Sequence, residues 1–198
     1  MKANQKALGL GGKTGLVGQT LSKVLGESGW NVTSAGRQDV DFLDPRAADV
    51  LAALIDATEP DIVFNAVAYT DVDRAEQDEE NATLLNRTLP AMLARLLKPR
   101  PCRLVHYSTD FVFNGKKQTP YTTADIPDPL SVYGKTKLAG EEAVRAMDLP
   151  GCLVIRSAWL FGPGKSHFIS KILDLARVNK ELNVIHDQVG SPTYAPDL

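Results

Sequence analysis

At 198 residues, 43% of them hydrophobic, the chain has the apolar content for a single core. Its formal net charge of −2 gives no reason to expect nucleic acid or an anionic membrane surface as a partner. Cys102 and Cys152 lie far apart and match no metal-ligand spacing, so they read as reduced thiols, and no run approaches the roughly 18 apolar residues of a membrane span.

The opening "MKANQKALGLGG" lacks the long apolar segment of a signal peptide, so the cytoplasm is the expected compartment. Short β-like runs then alternate with helical patterns. "KALGLGG" reads as a first strand entering a glycine-rich turn, followed by a helix from about Gly18 to Ser28, and "WNVTSAG" is the second strand. "DPRAADVLAALIDA" predicts a helix with Asp44 as N-cap and Pro45 at its first position. "DIVFNAVA" is the unbroken apolar run of a strand covered on both faces. Asp73 to Leu97 is a long helical stretch that Pro90 breaks or kinks. "RLVHYS" is the next strand, and a Pro- and Thr-rich loop, Asn114 to Leu130, leads into a helix carrying Tyr133. "CLVIRSAW", "HFISKILDLARV" and "LNVI" follow as strand, amphipathic helix and short strand. This order predicts an α/β fold with a doubly wound parallel sheet and right-handed crossovers. Pro196-Asp197 reads as the start of a further helix, so the chain is expected to stop short of its natural end.

Three features carry chemistry. Gly12, Gly15 and Gly18 form GxxGxxG between the first strand and the first helix, where glycine permits a tight turn and close approach to a pyrophosphate. A purely structural turn is the other reading of the same residues. The motif lacks the GK[ST] ending of a P-loop. Arg37, after the second strand, suits the 2′-phosphate of NADPH, while Asp39 two residues on would suit the 2′-hydroxyl of NAD; a solvated loop charge is the other reading of Arg37. Ser108, Thr109 and Asp110 close the strand "VHYSTDFVF", and Tyr133 stands four residues before Lys137 on one helix face. A hydroxyl at the strand end would hold a carbonyl oxygen while Tyr133 donates a proton to it. Lys137 would lower the phenol from its ordinary pKa of about 10.

The combination resembles the extended short-chain dehydrogenase/reductase superfamily and, within it, the dTDP-4-dehydrorhamnose reductase family. The matching stretches are "GKTGLVGQTL", "PDIVFNAVAYTDVDRAE", "LVHYSTDFVFNG", "PYTTADIPDPLSVYGKTKLAGEEAV", "IRSAWLFGPGKSHFI" and "DQVGSPTYAPDL". The resemblance implies a Rossmann-type domain over 1–198, with the start of the substrate-binding region near 159–198 and the smaller C-terminal domain largely missing. It implies reduction of the 4-keto group of dTDP-4-dehydro-L-rhamnose by NADPH, with NADH as a second donor. Thr109, Tyr133 and Lys137 become the catalytic triad, and Tyr133 and Lys137 also meet the cofactor. Gly12, Gly15, Leu16, Val17 and Gly18 take the pyrophosphate; Asp41, Phe42 and Leu43 lie along the adenine; Ala66, Val67, Ala68 and Tyr69 lie along the cofactor's middle. Asp110, Phe111 and Trp159 border the sugar, although Asp110 also reads as a turn or cap residue and Trp159 as a core aromatic. The expected partners are a nucleotide-sugar substrate and a second copy of the chain, with neither nucleic acid nor membrane.

The same fold and triad serve nucleotide-sugar epimerases and dehydratases with retained NAD⁺. A non-catalytic relative, the regulatory subunit of methionine adenosyltransferase, supplies a third reading. Departures from the family pattern are Gly9 and Gly11, which predict a looser first strand, and Arg87 and Leu89 in a usually glycine-containing segment. Phe111 stands where tyrosine is common, and Gln19 replaces a metal-linked glutamate, so no metal site is expected.

Overall fold

The computed structural model describes residues 5–164 and 167–198. Lys165 and Ser166 of the matching stretch, and the first four residues of the expected leaderless N-terminus, lie outside them. Five parallel strands form the central sheet: β1 (Lys6–Leu10), β2 (Asn31–Ala35), β3 (Ile62–Asn65), β4 (Arg103–Thr109) and β5 (Leu153–Ser157), in the order β2-β1-β3-β4-β5. Parallel neighbours need a crossover, and helices supply it: α1 (Leu16–Glu27) joins β1 to β2, and α2 (Ala47–Thr58) joins β2 to β3. The predicted doubly wound sheet is therefore the observed one.

Both faces are covered, which explains the near-continuous apolar strands. On one face Leu8, Leu10, Val63 and Leu104 pack beneath Leu51 and Ile55 of α2. The same cluster takes in Leu89, Leu93 and Leu97 of α5 (Leu89–Leu97) and Val144 of α6 (Val132–Arg145). On the other face Ala7, Ile62, Val105 and Tyr107 pack with Val17 and Leu25 of α1 and with Leu198. Gly9, on β1, is paired to both neighbours, Ser34 and Phe64, so that strand is not loosened by its glycine.

Several element boundaries differ from the predicted ones. Asp44 does not cap α2; its carboxylate accepts the Arg46 N–H at 2.7 Å and the Arg46 guanidinium at 2.9 Å, shaping a turn that delays the helix to Ala47. The stretch from Asp73 divides into α3 (Val72–Ala75), α4 (Glu79–Thr83), a π-helical segment Leu84–Thr88 and α5. Pro90 sits in the first turn of α5, where its missing N–H and its ring leave the Asn86 carbonyl outside the ordinary ladder. That carbonyl is turned toward α6, where Gly140 has no Cβ to block it. "LNVI" forms no strand: Val184 and Ile185 are exposed, with no strand edge beside them among the described residues.

Beyond β5 a separate two-stranded parallel sheet pairs β6 (Leu160–Phe161) with β7 (Thr193–Tyr194), and α7 (Phe168–Val178) lies between them in sequence. The apolar residues Phe168, Leu173 and Val178 of α7 are exposed. Among the described residues no helix is long and apolar enough to cross a membrane.

Candidate functional site

The chain runs from β1 outward to β2 and then returns to β3 on the other side of β1, so the order reverses between β1 and β3. Ligands of doubly wound sheets bind beyond the carboxyl ends of the strands at such a reversal. Two backbone segments meet there. Gly11 opens the turn after β1 with φ +83°, a conformation L side chains rarely adopt, and its N–H donates to the Ala35 carbonyl at 2.8 Å. It belongs to the turn, not to the strand, which corrects the expectation of a loosened β1. A Cβ on Gly11 would lie 3.1 Å from the Ala66 backbone, so the turn rests directly on the loop that follows β3.

Gly18 sets the second close approach. A Cβ there would stand 2.5 Å from the Gly12 Cα and 2.6 Å from the Gly11 carbonyl oxygen. Helix α1 thus begins in contact with the turn, with Gly15 as its N-cap and no side chain capping it among the described residues. Its first N–H groups and positive dipole end are available to an anion, and the cradle fits a pyrophosphate. Gln19 braces the same turn by donating to the Lys13 carbonyl at 3.0 Å.

The other predicted cofactor residues divide by role. Phe42 is buried in the core, so its side chain anchors the segment instead of lining a ligand surface; Leu43 is exposed, with its N–H on the Asp41 carboxylate at 3.1 Å. Val67 is buried and Ala66, Ala68 and Tyr69 are half-buried along the loop after β3. Arg37 is exposed immediately beyond β2, and Leu16 and Val17 open α1.

The proton-handling residues come together on α6 and the end of β4. Ser131 caps α6, its hydroxyl accepting the Gly134 N–H at 3.1 Å, which places Tyr133 in the first turn. The Thr109 hydroxyl donates to Asp110 Oδ1 at 3.1 Å and accepts the Phe111 N–H at 3.2 Å, with the Tyr133 phenol nearby. Phe111 meets the phenol ring edge-on, with centroids 5.5 Å apart, and is itself exposed. Thr109, not Asp110, caps the short turn Asp110–Val112.

One electrostatic expectation is overturned. Burial raises the Tyr133 phenol, the nearby Thr109 side chain lowers it, and the Asp110 charge raises it again, with a net upward shift. Lys137 does not pull it down, because its ammonium is turned to β4 and donates to the Tyr107 carbonyl at 2.6 Å. Lys137 is only 2% exposed, and burial lowers its pKa to about 8 against the pull of Glu141. The phenol therefore keeps its proton at neutral pH, the state a proton donor needs.

Around this group lies a buried polar band that sequence reasoning missed. Asn86 accepts the Tyr69 N–H at 2.9 Å, donates to the Tyr69 carbonyl at 3.2 Å and donates to the Thr136 hydroxyl at 3.1 Å. It thereby ties the loop after β3 to α6. Glu141, one turn after Lys137, is 0% exposed and accepts from Ser108, Arg156 and Arg145. Burial alone would raise its carboxyl, but Arg156, Ser108 and Arg145 more than offset that. The sequence signals were faint: one asparagine inside an apolar run, and a glutamate at i+4 from the lysine.

Asn65 and His106, paired across β3 and β4, complete the band. Asn65 Oδ1 accepts the Val67 N–H, so its amide donates to His106 Nδ1 at 3.2 Å and the imidazole proton sits on Nε2, unpartnered and buried. Burial, aided by Lys137, lowers His106 from 6.5 to about 3. The unfolded chain binds a proton below pH 6.5 that the fold refuses, so stability is full above that pH and falls toward pH 3, by about 1.4 kcal/mol per unit at most from this residue. His106→Gln is expected to flatten that slope, measured by urea unfolding at neutral and acid pH.

Trp159 follows β5 in the left-handed region at φ +46°, with its indole half exposed and seated on Gly190, outside both core clusters. The core-aromatic reading therefore does not describe it. Non-glycine residues held in the left-handed region are enriched at functional sites.

The parallel sheet with helices on both faces places the chain in the Rossmann-type doubly wound class. It belongs to the RmlD substrate binding domain family, whose model matches residues 6–198. It is 38% identical to the spore coat polysaccharide biosynthesis protein SpsK of Bacillus subtilis over 96% of this chain and 65% of that one. It is also 38% identical to a dTDP-4-dehydrorhamnose reductase of Salmonella typhimurium, over 93% of this chain and 61% of that one. A dTDP-4-dehydrorhamnose reductase of Bacillus anthracis, solved with NADP, superposes with a TM-score of 0.92 at 26% identity, covering 100% of this chain and 69% of that one. The chain spans less than two thirds of the length of these curated relatives.

Proposed function

We propose that this chain is the dinucleotide-binding part of a reductase that converts dTDP-4-dehydro-L-rhamnose to dTDP-L-rhamnose with NADPH. The observation that carries the reading is the meeting of Thr109, at the end of β4, with Tyr133 and buried Lys137 of α6, at the carboxyl end of the sheet that also bears the glycine cradle after β1. Gly12, Gly15, Leu16, Val17 and Gly18 would hold the pyrophosphate, and Asp41, Leu43, Ala66, Val67, Ala68 and Tyr69 would line the rest. When bound, the reduced dinucleotide supplies the hydride. Thr109 receives the keto oxygen, and Tyr133 gives its proton to that oxygen as negative charge develops there. Lys137, leaving the Tyr107 carbonyl for the ribose, would keep a positive charge beneath the phenolate that remains. Asp110, Phe111 and Trp159 would border the sugar, at the start of a substrate-binding region over 159–198.

The reductase reading is favoured over the epimerase and binding-subunit readings by the names of the relatives and by the NADP complex of the Bacillus anthracis neighbour. Cytoplasmic residence and a homodimeric assembly belong to the same proposal. The test is oxidation of NADPH on addition of the 4-keto sugar to protein extended to its relatives' length. Turnover dependent on the sugar supports the reading; bound NAD⁺ that cycles without net oxidation contradicts it.

A further inference from the structure

Helix α6 carries Tyr133 in its first turn, so whatever fixes that turn fixes where the phenol stands. Ser131 holds it from within, through the Gly134 N–H. Gly134 in turn lies so close to the Phe111 carbonyl, just beyond β4, that a Cβ would collide with it. A further contact comes from a distant segment: Glu76 Oε1 accepts the Val132 N–H at 2.8 Å, across 56 residues of sequence. The first N–H groups of a helix have no intrahelical partner, and this carboxylate meets the one beside Tyr133. Its charge also suits the positive end of the helix.

The segment that bears Glu76 is itself well anchored. Asp71 caps α3 by accepting the Arg74 N–H at 3.1 Å, and Ala75 is completely buried. The Tyr69 phenol donates to Asp78 Oδ2 at 3.0 Å, which closes residues 69–78 on themselves. Tyr69 belongs to the loop after β3, the loop assigned to the cofactor's middle. We infer that Glu76 is a positioning residue, holding the Tyr133 turn of α6 in place against the loop that seats the dinucleotide. This role rests on the reductase reading, in which hydride and proton must reach one carbonyl group from two separate elements. Glu76 joins those elements at the surface, as Asn86 joins them in the interior through Tyr69 and Thr136. Turnover falls steeply when reacting groups are slightly misplaced, so a tie remote from the chemistry can set its rate.

The test compares the protein with Glu76→Ala and Glu76→Gln, with thermal midpoints confirming folding. Gln keeps an acceptor oxygen and removes the charge, whereas Ala removes both. Hydrogen exchange at the Val132 amide of the 198-residue chain is expected to quicken about tenfold in Glu76→Ala and to stay within about twofold in Glu76→Gln. In NADPH oxidation by protein extended to its relatives' length, Glu76→Ala is expected to lower kcat about fivefold. The KM for NADPH should stay within about twofold, and Glu76→Gln should recover most of kcat. A lowered thermal midpoint with kcat unchanged makes Glu76 a helix cap only and overturns the inference. A Glu76→Gln as slow as Glu76→Ala also overturns it, since charge and not the contact would then act. So does a loss confined to KM. If the unsubstituted extended protein does not oxidise NADPH with the sugar, the reductase reading falls. Unchanged exchange at Val132 in Glu76→Ala, by contrast, overturns the positioning role whatever the reaction.

Discussion

Tyr133→Phe is expected to lose about 10²–10⁴-fold in turnover while NADPH affinity stays within about twofold, measured in protein extended to the length of its relatives. The ring remains, so its edge-on contact with Phe111 and its place in the first turn of α6 are preserved. What is lost is one O–H, aimed at the same oxygen that Thr109 would hold. Because burial keeps the phenol protonated, the wild-type rate should be flat through neutral pH and fall only on the alkaline side. A fall centred below pH 7 would assign the proton to another group. Lys137, with a pKa of about 8, loses its charge on that same alkaline limb, so the limb reports the coupled pair and not the tyrosine alone.

The second large effect concerns Glu141→Ala, which is expected to cost about 3–5 kcal/mol of folding stability. Arg156 donates through two nitrogens, at 2.8 and 2.6 Å, to a carboxylate that has no exposure to solvent. Ser108 of β4 and Arg145 of α6 reach the same two oxygens. One carboxylate therefore ties two strands to the helix that carries Tyr133 and Lys137. Removing it leaves the Arg156 guanidinium, 19% exposed and lying over the Phe113 ring, without its counter-charge. Urea unfolding checks the magnitude, and a thermal midpoint lowered by roughly 10 °C would accompany it. The paired variant Glu141→Leu with Arg156→Leu should recover most of the loss, since apolar replacement of a whole buried pair is often neutral. A loss below about 1 kcal/mol for Glu141→Ala would show that the cluster is not what fixes α6.

What the sequence disclosed, and what it withheld, follows from the range of the interactions. The glycine turn and the Tyr133–Lys137 spacing were legible because chain geometry over a few residues sets them: a strand, a turn, and one helical repeat. The parallel sheet was legible because each apolar run is followed by a helical pattern long enough to cross over. Asn86 was not, since it acts on Tyr69 and Thr136, seventeen and fifty residues away. Asn65 and His106 meet only through the register of β3 and β4. The direction of the Lys137 ammonium was misread for the same reason. Helical spacing brings it to the face of Tyr133, but the Tyr107 carbonyl on a neighbouring strand decides where it points. Pro90 was rightly read as a disturbance, although the chain absorbs it through a π-helical segment and a glycine on the facing helix. "LNVI" had strand composition without a strand edge to join, and composition carries no information about that.

The most direct measurement is a crystal structure of the extended protein with NADP⁺ and dTDP-L-rhamnose bound together. The account predicts the pyrophosphate on the turn from Gly12 to Gly18, the sugar's C4 oxygen in hydrogen-bond reach of both Thr109 and Tyr133, and the Lys137 ammonium on the nicotinamide ribose. A dinucleotide seated away from that turn, or a C4 oxygen out of reach of the Tyr133 hydroxyl, would contradict it.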